Sequence, residues 1–356
     1  MPDSPRLPML PEAELPPVLV TGGAGYIGSH AALALLDRGH KVVVVDDLST
    51  GSRLLLPPGA VFVQGRAGDR ELIANVVARE GVGAVMHFAA SISVGDSVRE
   101  PAAYYANNVT ETLDLAAACA ACGVKALVFS STAAVYGERG EADTAPQMLP
   151  LREDDRLEPI NPYGWSKLMG ERIITDIVAA SGGTLAAGIL RYFNVSGADP
   201  AGRSGQNSHH PHHLIEIASH VATGLRGQFS VYGDDYPTPD GTGIRDYVHV
   251  SDIAEAHVLM LRAALAAPGT TRTFNLGYGR GHSVLEVLAA LGRAAGFGIP
   301  YAIGPRREGD PAVLVADSAA AVAALGWEPR FADIDAIVGH ALAWEKSRQV
   351  RNAAAA

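Results

Sequence analysis

The stretch Val18-Leu-Val-Thr-Gly22-Gly-Ala-Gly25-Tyr-Ile-Gly28 runs from a short apolar strand into a glycine-rich turn that opens a helix. Each glycine has a separate task in such a turn. Gly22 permits the tight reversal, Gly25 lets backbone approach a pyrophosphate, and Gly28 allows the helix to pack closely. The first helical amides and the positive end of the helix dipole then face an anion. Asp46 ends the next apolar run, at the distance where a carboxylate accepts hydrogen bonds from an adenosine ribose. It would also repel a 2′-phosphate, so the dinucleotide expected is NAD rather than NADP.

Outward from this unit the pattern repeats as apolar strand, turn, alanine-rich helix. Val18–Thr21, Lys41–Asp46, Ala60–Gln64, Ala84–Phe88, Ala126–Ser131 and Ala187–Phe193 read as strands covered on both faces. Helices are expected near 27–38, 69–80, 107–122 and 163–180. The fold class is therefore α/β, a doubly wound, Rossmann-like parallel sheet with ligands beyond its carboxyl edge. After Phe193 the pattern loosens, with helices near 212–225 and 283–295 and a strand at Thr273–Leu276. We read 18–193 as the NAD-binding domain, with returns near 246–277, and 194–346 as a smaller substrate domain. Proline-rich 1–17 reads as a disordered extension and 347–356 as a frayed tail.

The chain has 356 residues, of which 48% are hydrophobic and 19% charged, and this excludes disordered and collagen-like classes. A net charge of −10 argues against nucleic acid as a partner. No apolar run approaches the ~20 residues that span a bilayer, and no signal peptide is visible. Two cysteines cannot frame a disulfide scaffold, so a reducing, cytoplasmic setting is expected. Cys119-Ala-Ala-Cys122 has a redox spacing but lies in an alanine-rich helix, where core packing explains it. His209-His-Pro-His-His213 lacks a partner carboxylate or cysteine, and no metal is expected there.

Only four lysines occur, at positions 41, 125, 167 and 346. One of them completes Tyr163-Gly-Trp-Ser-Lys167 at the start of a helix, placing both side chains on one face. A lysine cation beside a phenol favours phenolate, so the pKa of Tyr163 is expected to fall toward neutrality and suit a general base. Thr132, where the run Ala126–Ser131 ends, brings a hydroxyl to the sheet edge, within reach of the substrate oxygen that loses a proton.

These residues resemble the extended short-chain dehydrogenase/reductase family, and within it the nucleotide-sugar 4-epimerases. The resemblance runs from Val18 to about Trp344. It is carried by TGGAGYIGSH, HFAA, FSST with VYG, NPYGWSK, RYFN, GTGIRDYVHV and RREGD. It implies interconversion of UDP-glucose and UDP-galactose through a 4-keto sugar, with tightly bound NAD carrying the hydride. Thr132, Tyr163 and Lys167 then form the catalytic set. Tyr26, Ile27, Asp46, Phe88, Ala89, Asn107 and Phe193, with the glycines and the Tyr–Lys pair, line the NAD site. The resemblance gives Asn194, Arg245 and Arg307 to the diphosphate, Asp310 to the uridine ribose, and His213, Leu214 and Tyr232 to the uridine pocket. It also implies a homodimer.

The sequence departs from the family pattern at three places. Arg66 follows Gly65 where the family has an aspartate on adenine, and Asp69 comes too late to replace it. Ile92 stands where some members have a lysine on the nicotinamide ribose. Leu314 occupies the position that gates bulk at the sugar 2-position, which keeps UDP-N-acetylhexosamines as alternative substrates, and the UDP-xylose/UDP-arabinose pair is a separate alternative. A dehydratase needs an acid and a base beside the threonine, and Ala133 and Ala134 supply neither. A non-catalytic NAD sensor would keep the fold without needing the Tyr–Lys pair.

Overall fold

The computed structural model describes residues 6–137, 150–208, 211–307 and 310–355. The first half alternates strand and helix. The order is β1 (Val18–Thr21), α1 (Tyr26–Leu36), β2 (Val42–Asp46), β3 (Val61–Gln64), α2 (Arg70–Glu80) and β4 (Ala84–His87). Then come α3 (Val94–Arg99), α4 (Pro101–Tyr104), a π-helical turn at Tyr105–Thr110, α5 (Glu111–Ala121), β5 (Ala126–Thr132), α6 (Pro162–Ala180) and β6 (Ala186–Tyr192). The second half contains β7 (Asn194–Ser196), α7 (Leu214–Ala222), β8 (Phe229–Tyr232), β9 (Ile244–Arg245), β10 (Tyr247–His249), α8 (Val250–Leu265) and β11 (Thr271–Leu276). It ends with β12 (His282–Ser283), α9 (Val284–Ala295), β13 (Tyr301–Gly304), β14 (Val313–Leu314), α10 (Ala319–Leu325) and α11 (Ile334–Ala355).

One sheet of seven strands has the order β3-β2-β1-β4-β5-β6-β11, and every pairing in it is parallel. Its inner strands are buried along their whole length, as Val42-Val-Val-Val-Asp46 illustrates, because helices cover both faces. One apolar layer places Val18, Val44, Met86 and Leu190 against α1 and α8, and the other places Leu19, Val85, Leu127 and Ile189 against α5 and α6. The chain winds outward from β1 to β3 and then crosses back to β4, so the strand order reverses between β1 and β4. A crevice opens at such a switch point, beyond the carboxyl ends of the strands. A third apolar cluster, with Ile215, Val287, Leu291 and Val338, joins α7, α9 and α11 beside that edge.

Both ends of the chain differ from their reading by composition. Residues 6–17 are not loose: Leu7, Met9 and Leu15 pack on the main core. Leu7 N donates to Ala324 O at 2.9 Å, and Arg262 Nε donates to Leu10 O at 2.9 Å. Glu12 is paired with Arg38 at 3.0 Å. The apolar residues among the prolines, rather than the prolines, decide the outcome. The C-terminal tail is likewise helical, since α11 continues through Ala355, with Arg348 paired to Glu345 at 2.8 Å. The helix expected at 107–122 starts with the π-turn, and regular α5 begins only at Glu111.

Candidate active site

The glycines after β1 are required by space. Gly22 has φ +72°, and a Cβ there would lie 2.5 Å from the Ala89 amide nitrogen, at the end of β4. A Cβ on Gly28 would collide with the Gly22 carbonyl oxygen. Gly25 is the N-cap of α1, and no side chain caps that end, so its first amides are left for a ligand. Asp46 holds this loop from the next strand: Oδ2 accepts from Ala24 N at 3.0 Å and Oδ1 from Leu48 N at 2.8 Å. Each oxygen keeps a lone pair for a ribose hydroxyl. Burial raises the Asp46 pKa from its ordinary value, and the two amides oppose that shift.

Other candidate cofactor residues surround this loop. Half-buried Phe88 and Ala89 follow β4, and the Phe88 ring packs on His257 at 4.7 Å. Half-buried Tyr26 donates through its hydroxyl to Gly197 O at 2.7 Å, and Ile27 follows it in the first turn of α1. Asn107 lies in the π-turn and donates to Ser91 Oγ at 3.1 Å. Buried Phe193 lies between β6 and β7. Arg66 is paired with Glu111 at 2.8 Å, and Asp69 caps α2 by accepting from Leu72 N.

The candidate proton-handling group sits where α6 begins against the end of β5. Asn161 caps α6 by accepting from Gly164 N at 2.9 Å, and Pro162 fixes the first turn, so Tyr163 is placed rigidly. The Thr132 side chain lies near its hydroxyl, close enough to act on its proton affinity. Lys167 is 3% exposed, and its Nζ donates to Ser130 O at 2.9 Å while lying 5.0 Å from the centre of the Phe129 ring.

The charge balance corrects the sequence expectation. Burial pushes the Tyr163 phenol up to about 12, and the Thr132 side chain only partly opposes it. Burial brings the Lys167 amine down to about 7, opposed by Glu171. Both charged forms lose hydration in this pocket, and that cost is the largest cause of each shift.

Sequence reasoning missed the groups behind this pair. Glu171, one helical turn beyond Lys167, takes both arms of Arg191: Nε donates to Oε1 at 3.0 Å and Nη2 to Oε2 at 2.7 Å. Ser131 Oγ also donates to Glu171. Removing one partner of a buried pair of this kind costs about 3–5 kcal/mol. Asn108, beside Asn107, donates to Ser91 O at 2.9 Å and Ser166 Oγ at 3.0 Å, tying the β4 loop to α6. The signals were present: Glu171 continues the Tyr–Lys face at helical spacing, and Arg191 opens the quoted RYFN.

Farther out, Asn194 lies on β7, whose Asn194–Ser196 pairs with Tyr247–His249 of β10. Arg245 on β9 forms an ion pair with Asp310, so these two candidate substrate residues hold each other. The Arg307 guanidinium lies 4.0 Å from the centre of the half-exposed Tyr232 ring. His213 precedes Leu214, the first residue of α7, and burial brings its pKa down to about 3. Leu314 is in register with Arg245 and packs on the cluster containing Ala133, Val135 and Phe193, which brings this group to the catalytic edge. His209 and His210 lie outside the described residues, and no metal-holding cluster of His, Cys, Asp or Glu occurs among those described. Cys119 is buried and its thiol is pushed up to about 12, consistent with a packing role.

A profile of the NAD dependent epimerase/dehydratase family matches residues 18–277. A UDP-glucose 4-epimerase of Azospirillum brasilense is 50% identical over 335 residues, covering 94% of this chain and 93% of that protein. The crystal structure of UDP-glucose 4-epimerase from Brucella ovis in complex with NAD is 43% identical, with a TM-score of 0.86 over 92% of this chain and 97% of that one. The Bifidobacterium longum UDP-glucose 4-epimerase in complex with NAD+ and UDP is 39% identical, with a TM-score of 0.84 over 94% and 99%.

Proposed function

The chain belongs to the NAD dependent epimerase/dehydratase family, and from that premise we propose the catalytic assignment that follows. The protein is an NAD-dependent isomerase that interconverts UDP-glucose and UDP-galactose through a transient 4-keto sugar. The observation that carries the assignment is the pairing of Tyr163 and buried Lys167 on one face of α6, with Lys167 bonded to the end of β5 two residues before Thr132. The residues present fit the dinucleotide: a glycine cradle that any Cβ would fill, an uncapped helix start and the Asp46 carboxylate.

When bound, oxidised NAD supplies the acceptor for the C4 hydrogen with its electron pair, and a positive charge that favours phenolate. Tyr163 is the group that takes the 4-hydroxyl proton and later returns it. Thr132 bonds the same oxygen and holds it against the phenol. Lys167 contributes its positive charge from below. Arg245 and Arg307 hold the diphosphate, where guanidinium geometry suits phosphate oxygens, while Asn194 adds a neutral contact. Asp310 turns to the uridine ribose as Arg245 turns to phosphate, so substrate exchanges one ion pair for two contacts. His213, Leu214 and Tyr232 shape the uridine pocket. A pocket that anchors UDP while leaving the sugar loosely held permits the sugar to turn over between the two transfers.

The active species is a homodimer. This reading is supported by the apolar stripe of Trp165 and Met169 on α6, each 40% exposed, beside exposed Leu113 on α5. Its two cysteines carry no disulfide, which supports a cytoplasmic setting. Leu314 beside Phe193 and Arg245 favours hexoses without a bulky 2-substituent over N-acetylated ones. The test is incubation of the purified holoenzyme with UDP-galactose, followed by NMR of the sugar. The expected outcome is equilibration at C4, slower or absent for UDP-N-acetylgalactosamine. No interconversion with bound NAD present defeats the assignment.

A further inference from the structure

Two consecutive residues at the end of β5 are each held by a different side chain from one face of α6. Ser130 O accepts from Lys167 Nζ at 2.9 Å and Ser131 Oγ donates to Glu171, with Thr132 the next residue and Tyr163 one turn before Lys167. Positions 163, 167 and 171 are successive turns of one helical face. The catalytic pair therefore has a third member, and that member is anchored. Glu171 is 5% exposed and receives the Arg191 fork, while Arg191 Nη1 donates to Tyr136 OH at 3.0 Å and to Glu153 O at 3.2 Å.

The titratable and charged groups around Lys167 are Glu171 and Tyr163 on α6, His87 on β4, Tyr104 on α4, and Arg191 and Tyr192 on β6. Burial raises all three of these tyrosines and brings His87 down to about 3, so all four are neutral at pH 7. Glu171 is the carboxylate of this set, one helical turn from Lys167, and Arg191 is the cation paired with it at 2.7 Å.

We propose that Glu171, clamped by Arg191, is a positioning residue for the reaction: it keeps Lys167 charged and directed at the Ser130 carbonyl beneath Tyr163. The proposal rests on the role given to Lys167 above. Its electrostatic core can be read without any sugar, so its failure is distinct from failure of the epimerase reading.

The test exploits the lysine count. Of four lysines, Lys41, Lys125 and Lys346 are exposed, so Lys167 gives the one buried signal in lysine-selective 13C/15N NMR. The purified holoenzyme is titrated alongside Glu171→Gln, Glu171→Asp and Arg191→Gln. Removing the anion moves the Lys167 midpoint down by about one pH unit, and removing its paired cation moves it up by a similar amount. Glu171→Asp restores most of the wild-type midpoint. In turnover, the alkaline limb of the pH profile moves the same way as the midpoint in each variant. A merely structural role predicts an unchanged midpoint, with activity lost equally at every pH in both variants, and that result overturns the proposal. If Glu171→Gln does not fold, Arg191→Gln decides alone: an upward shift supports the proposal, and no shift or a downward one refutes it.

Discussion

Tyr163 and Lys167 meet the same burial with opposite consequences, since a neutral phenol and a neutral amine are each favoured where water is excluded. The resting pocket accordingly holds the phenol up to about 12 and the amine down to about 7. A base matched to neutral pH then needs further positive charge, which the oxidised cofactor brings. Replacing Tyr163 with Phe keeps the ring but removes the proton carrier. It should lower kcat by about 10²–10⁴-fold while leaving NAD content unchanged, measured by turnover and by cofactor absorbance after denaturation. The Tyr163–Lys167 pair was visible in the sequence because the two residues lie one helical turn apart. The Glu171–Arg191 pair joins residues 20 apart, and it emerges only once β6 lies beside β5 under α6.

At the scale of elements, the β1–turn–α1 unit leaves no room at Gly28, whose missing side chain is what permits the helix to approach the Gly22 carbonyl. Gly28→Val should give protein with most of its bound NAD lost, seen in the ratio of absorbance at 260 to 280 nm of the purified protein. Retention of full cofactor content would show that the turn can relax. The stripe on α6 and α5 gives a second test: if it is the seam of the proposed dimer, Trp165→Asp with Met169→Asp should yield a monomer by sedimentation and the unaltered chain a dimer, because two charges would enter an apolar seam. Strands and helices of the first half were legible from their apolar runs. The π-turn at Tyr105–Thr110 was not, because one extra residue per turn leaves no mark in composition.

For the molecule as a whole, buried neutral histidines dominate the response to acid. Burial brings His30 and His257 down to about 4 and His87, His213 and His249 to about 3. Unfolded histidines bind protons below their ordinary value of about 6.5, whereas these do so only near 3–4. Between those limits the unfolded state holds more protons, so the stabilisation is complete above pH ~6.5 and is lost as pH falls toward 3. Glu345, held down to about 2 by hydrogen bonds from His220 and Arg348 against the cost of its own burial, adds a loss at still lower pH. Tm should therefore fall steeply from pH 6.5 to 4, by scanning calorimetry. The doubly wound sheet was visible in the strand–helix alternation. The docking of residues 6–17 was not, because proline-rich composition masked three apolar residues whose partners lie on α8 and α10, hundreds of positions away.

The central claim is that one hydrogen leaves and returns to the same sugar carbon while Tyr163 handles the proton. UDP-galactose carrying deuterium at C4, incubated with the holoenzyme in ordinary water, tests it directly. The account predicts UDP-glucose that retains the deuterium at C4. UDP-glucose formed with that deuterium exchanged into water would contradict it.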